Sequence, residues 1–311
     1  MGFIHMTQLQ LLTATRLLER TMPTTTRRLL AYGAFTLAYL ISIPIGAGTF
    51  FGLASFGENP VFWAQTGAML GLAFCFYLIR LARPRIFHHV DLVHWAAMTK
   101  RLAGENLPAG KEQLTHLSEF LQSSFPSAKA SYGGYLNVRR IICEIFASFP
   151  PGNRLNRLPQ PLASGLQQTL AAVFLGWGAG AVLAFAIQAN RLSACRRGAV
   201  VYGEHYKEVF AQSLLASAFL YGFSLIAFWI LLEPVGWIDA ALPSDLGVWQ
   251  YVFALILTYW IKASFLDPIA TAAMTISLLQ LDQQTPSTSE EKLQEWVQRA
   301  PSLAQIPAEG G

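Results

Sequence analysis

No lysine or arginine occurs between Arg28 and Arg80, and none between Lys207 and Lys262. The bases are confined to the N-terminal segment, the central region 80–207, Lys262 and the C-terminal tail. Long apolar runs fill the base-free intervals. As helix, about 20 apolar residues cross a hydrocarbon core roughly 30 Å thick, so these runs demand a bilayer. The composition agrees: 53% of residues are hydrophobic and 13% charged, against about 25% charged in soluble domains. The runs are long and lack a two-residue alternation, which argues against a transmembrane β-barrel. The fold class is therefore all-α, a polytopic helical membrane protein.

Charge placement sets the expected topology. Lysine and arginine accumulate on the cytoplasmic side, so the four basic regions should share that side. This predicts four full transmembrane helices, at 29–54, 61–80, 210–232 and 247–266, with both termini cytoplasmic in a bacterial inner (plasma) membrane. The uncharged stretch 165–190 then crosses an even number of times. A re-entrant element broken at Gly176, Gly178 and Gly180 meets that requirement, and a fifth ordinary span is the alternative. Re-entrant backbone must be covered by protein or line a water-filled cavity, which makes these glycines pore or subunit-interface candidates. The organisation read from the chain is an N-terminal amphipathic segment 1–28, a transmembrane hairpin 29–80, a cytoplasmic helical insert 81–164, a second membrane region 165–281 and a polar tail 282–311.

Several shorter signals refine this outline. Pro44, Gly46 and Gly48 predict a kink or a close helix contact in the first span, and Gly67 and Gly71 form a GxxxG packing face in the second. In the insert, Leu114, Leu117, Leu121 and Phe125 share one helical face; Val138, Ile141, Ile142, Ile145, Phe146 and Phe149 share another. Leu9, Leu12, Leu17 and Leu18 suggest a helix lying on the membrane surface. Breaks are expected at Pro23–Thr26 and at Glu233-Pro234. Ser287–Glu290 has capping-box form, and the end of the tail, with Pro301 and Pro307, reads as disordered.

Lys262 and Asp267 are the charged residues of the last apolar stretch. Read structurally, Lys262 snorkels at the end of a span and Asp267, followed by Pro268, N-caps an amphipathic surface helix. Read functionally, they form an intramembrane ion pair on a transport pathway. His88, Asp91 and His94 have a spacing reminiscent of a metal site, but histidines beside arginines more often meet solvent or lipid phosphate. Metal, cofactor and catalytic sets are not expected, because HExxH, Walker, GxSxG and CxxC motifs are all missing. Glu144 reads as an ordinary surface residue. The three cysteines, Cys75, Cys143 and Cys195, read as reduced thiols. Arg139, Arg140, Arg191, Arg196 and Arg197 belong to a basic belt suited to anionic lipid headgroups. Nucleic acid is not an expected partner, since the belt lacks stacking aromatics.

Val200–Lys207 (VVYGEHYK) and Lys262–Pro268 (KASFLDP), with Asn106–Gly110 (NLPAG) ahead of them, carry a resemblance over residues 80–285. The chain resembles an uncharacterised family of bacterial and archaeal polytopic membrane proteins. In that family the stretch aligned with 176–190 is more polar, which implies a non-spanning element; no activity is implied. The basic lead-in to a late span is also similar to choline-transporter-like proteins. The functional expectations are thus an oligomeric scaffold or pore-type subunit, with a homo-oligomer as the working form. The alternatives are a solute transporter or a lipid-handling membrane protein.

Overall fold

The computed structural model describes residues 2–55, 57, 59–125, 128–149, 177–241, 246–285 and 290–307. Every regular element among them is helical. In chain order they are α1 (Gly2–Arg20), α2 (Met22–Leu53), α3 (Pro60–Ala82), α4 (Phe87–Leu102), α5 (Gly110–Ser124), α6 (Ala128–Ser148), α7 (Gly178–Ala189), α8 (Cys195–Glu204), α9 (Tyr206–Ala241), α10 (Trp249–Ile261), a π segment (Lys262–Leu266), α11 (Asp267–Gln284) and α12 (Glu290–Arg299). Short 3-10 turns occupy Leu192–Ala194 and Pro301–Gln305. Four helical stretches are long and apolar enough to cross a membrane: Met22–Leu53, Pro60–Ala82, Tyr206–Ala241 and Trp249–Gln284. The chain is an all-α helical membrane protein.

Contacts divide it into two compact units. One comprises residues 1–24, 92–220 and 267–311; the other comprises 25–91 and 221–266.

The first unit is built around α7. The run GAGAVLAFAI is buried on every side, with α6, α8 and α11 packed against it. At 1.5 Å per residue, its 12 residues reach about 18 Å, short of the roughly 30 Å needed to span. Asn190 ends the helix in the left-handed region, at φ 55°, a conformation asparagine tolerates better than most residues. The α6 stripe faces this core, with Val138, Ile141, Ile142 and Ile145 buried, and Leu117, Leu121 and Phe125 of the α5 stripe are buried as well.

Two expectations fail in this unit and a third is met only in part. Helix α11 is not an amphipathic surface helix, since Pro268 to Leu278 are buried without interruption. Helix α1 is held by the chain through part of its predicted apolar face: Ala14, Leu17 and Leu18 are buried while Leu12 is 64% exposed, α1 packs on α11, and Gln10 Nε2 donates to Gln280 Oε1 at 3.0 Å. From Glu290 the tail is ordered as far as Ile306, whereas the expected disordered end at Gly310-Gly311 lies outside the described residues. Trp296, Leu303 and Ile306 are buried, and Pro301 opens a 3-10 turn packed on α6. The capping box at 287–290 lies mostly outside the described residues.

In the second unit α2 and α3 meet backbone to backbone. A Cβ placed on Gly46 would strike the Gly67 carbonyl, and one on Gly71 would strike the Ser42 carbonyl. The GxxxG reading holds, and Gly46 supplies the opposite surface. Two breaks are milder than expected. Only Thr21 separates α1 from α2, because Pro23 falls in the first helical turn, where its missing N–H costs nothing. Pro234 lies inside α9, which continues to Ala241.

Candidate functional site

The second unit holds a buried charged cluster at the start of α2. Arg28 is 4% exposed. Its Nη1 lies 2.8 Å from Asp91 Oδ1, with side-chain exposures of 5% and 19% for the two residues. Tyr32 donates its hydroxyl to both Asp91 oxygens at 3.2 Å, and its ring lies 5.1 Å from the Arg28 guanidinium carbon. One helical turn separates Arg28 from Tyr32, so α2 presents both to Asp91 on α4. A small apolar cluster of Tyr32, Phe87 and Ala263, with Phe35, Ile79 and Trp260 against it, surrounds the pair.

The third partner of Arg28 is backbone. Its Nε donates to Ala263 O at 2.8 Å, and Ala263 lies in the π segment. In a π turn each N–H reaches the carbonyl five residues back. For Ala263 that donor would be the nitrogen of Pro268, which carries no hydrogen. Arg28 fills the vacancy. The proline therefore shapes this stretch, though not as a helix start. The chain is helical on both sides of Asp267, whereas an N-cap residue has non-helical backbone, so the capping reading is replaced by a π interruption within a continuous helix.

The residues singled out from sequence fall as follows. The Lys262 ammonium lies 5.7 Å from the Tyr221 ring centroid. In the first unit, Trp177 Nε1 donates to Asp267 Oδ1 at 3.4 Å. Residues 165–176 of the expected re-entrant element, Gly176 among them, lie outside the described residues. Gly178 and Gly180 pack within their own chain: added Cβ atoms would come within 2.8 Å of the Tyr202 ring and of Thr271 Cγ2. That packing accounts for both glycines without a pore or a second subunit. Burial of Tyr202 pushes its hydroxyl pKa above the ordinary range.

Arg196 and Arg197 of the basic belt are engaged internally. Arg196 donates through Nε and Nη2 to Ile306 O. Arg197 pairs with Asp282 at 2.6 Å and donates to Thr285 O at 3.3 Å. Both tie α8 to the C-terminal part of the first unit. Glu144 belongs to the same fastening and is not an ordinary surface residue: its carboxylate accepts from Ser302 N at 2.9 Å and from Ser302 Oγ. Arg140 and Arg191 are exposed and Arg139 is half-buried.

The His88/Asp91/His94 spacing resolves into separate contacts. Asp91 serves Arg28, and His94 Nδ1 lies 2.9 Å from Thr24 Oγ1. Among the described residues no group of three or more His, Cys, Asp or Glu is arranged to hold a metal. Burial, and then the charge of Arg27, lower the His89 pKa. The sequence reading missed Arg28 altogether, because it stands at the edge of a basic segment. Its signal was position: it is the last base before an uncharged span.

Comparison with family models, with curated proteins and with solved structures finds no match to this chain.

Proposed function

We propose that this chain is an oligomeric membrane scaffold or pore-type subunit of an inner membrane, with both termini cytoplasmic and no enzymatic reaction of its own. One observation carries the reading. In three of the four candidate spans, only 17% of the most apolar window is buried by the chain itself. Large apolar side chains such as Phe74 (63% exposed), Trp229 (64%), Ile230 (64%) and Trp237 (73%) stand on their outer faces. Such faces serve contact with lipid and with copies of the chain, where close packing drives association. The glycines of α7 lend no support, since they are used internally; the reading rests on the outer faces of the spans. Arg140 remains a headgroup candidate, and no nucleic-acid partner is proposed.

The test is the mass of the particle in lipid nanodiscs at several protein-to-lipid ratios. A discrete multimer that persists on dilution into excess lipid is the expected result. A monomer at every ratio would overturn it.

A solute transporter is the second reading. Charged residues in membrane segments tend to mark pathways, and the Arg28–Asp91 pair adjoins an interrupted helix. Its test is uptake into proteoliposomes: flux abolished by Asp91→Asn in a protein that still folds would favour the transporter over the scaffold.

A further inference from the structure

The outer face of α3 that carries Phe74 ends in a cluster of basic residues. Phe74, Leu78 and Leu81 lie at i, i+4 and i+7, on one face of the helix, and are 63%, 47% and 57% exposed. Arg80, Arg83 and Arg85 follow at the C-terminal end, all exposed. The chain stays tightly wound there. Arg83 keeps helical dihedrals and its N–H reaches Ile79 O, while the Arg85 and Ile86 N–H groups both reach Ala82 O. The three arginines are therefore carried within six residues at the cytoplasm-facing end proposed for this span, each exposed to solvent or headgroups. The only acid between Arg80 and Arg101 is Asp91, and it is paired with Arg28. Among the described residues no carboxylate pairs with Arg80, Arg83 or Arg85.

An exposed apolar stripe running into an uncompensated triplet of arginines has the polarity of a phospholipid laid alongside: acyl chain on the stripe, charged headgroup at the end. Arginine binds phosphate through a planar fork of donors. We infer that the C-terminal end of α3 is a binding site for an anionic phospholipid, with Arg80, Arg83 and Arg85 holding the headgroup and Phe74, Leu78 and Leu81 lying along an acyl chain. This site differs from the basic belt of 139–197, whose Arg196 and Arg197 are tied up inside the chain.

The experiment uses the full chain in detergent, with native mass spectrometry reading retained lipid after addition of phosphatidylglycerol or phosphatidylcholine. The wild type should retain phosphatidylglycerol preferentially. The triple variant Arg80→Gln, Arg83→Gln, Arg85→Gln should weaken that retention by roughly 100-fold, given the typical contribution of one basic group near an anionic surface. A triple change to lysine should keep most of the preference, because the charge is preserved. Equal retention of the two lipids by the wild type, or an undiminished preference in the glutamine variant, would overturn the site. If the glutamine variant does not fold, a salt series on the wild type decides. The preference should fall as ionic strength rises, and a preference indifferent to salt would sink the inference.

Discussion

Asp91→Ala tests the charged cluster most directly. It leaves the Arg28 guanidinium, 5% exposed, with the Tyr32 ring and the Ala263 carbonyl as the remaining contacts described above. Stripping one partner from a buried ion pair costs about 3–5 kcal/mol, because the other charge stays desolvated. Asp91 retains 19% exposure, so water can reach part of the site and the lower end, about 3 kcal/mol, is expected. At roughly 2–4 °C per kcal/mol, thermal unfolding in a fixed detergent should drop by about 6–12 °C. Asp91→Asn keeps an acceptor for Tyr32 but removes the charge. If the charge is the larger contribution, it should lose nearly as much. Replacing both partners, as Arg28→Met with Asp91→Leu, removes the uncompensated charge, and such swaps are often neutral. The double variant should recover most of the loss. The reasoning fails if Asp91→Ala unfolds within 2 °C of wild type, or if the double variant loses the sum of the two single changes.

Gly67→Ala should destabilise by about 1–3 kcal/mol, because its Cβ would collide with α2 backbone and overpacking cannot relax cheaply. Gly48→Ala meets nothing within 4 Å and should be neutral or gain up to about 1 kcal/mol from lower backbone entropy. Equal losses at the two positions would contradict the α2–α3 contact. Cys195 is fully buried, and burial pushes its thiol pKa up to about 12. Peptide mapping after brief alkylation at neutral pH should find it unmodified until the protein unfolds, and rapid labelling of the folded chain would contradict the packing of α7 on α8. Glu144→Ala removes both acceptors of Ser302 and should speed protease trimming after Arg299; an unchanged trimming rate would show that the carboxylate does not hold the tail.

Composition and run length by themselves determined the class of this protein. Apolar helices longer than a bilayer is thick have no other stable solvent, so the four spans were legible, although the helices run on past the predicted ends at 29, 232 and 266 to Met22, Ala241 and Gln284. Periodicity likewise determined which faces of α5 and α6 turn inward, because side-chain direction on a helix is a local property. Where a helix stops was less legible. Pro23 and Pro234 looked like breaks, yet one fell in a first turn and the other was absorbed in mid-helix. Pro268 looked like a start and is instead the residue behind a π turn, its missing donor replaced by Arg28 from a distant part of the sequence. Only tertiary structure decided that exchange, because a carbonyl's partner across 235 positions leaves no local pattern. The same holds for α7. Its glycines suit a pore, an interface or a tight core equally well, and the neighbours Tyr202, Trp95 and Thr271 selected the core. Burial is a property of what surrounds a residue, and for Arg28, Glu144, Arg196 and Arg197 that surrounding came from elsewhere in the chain.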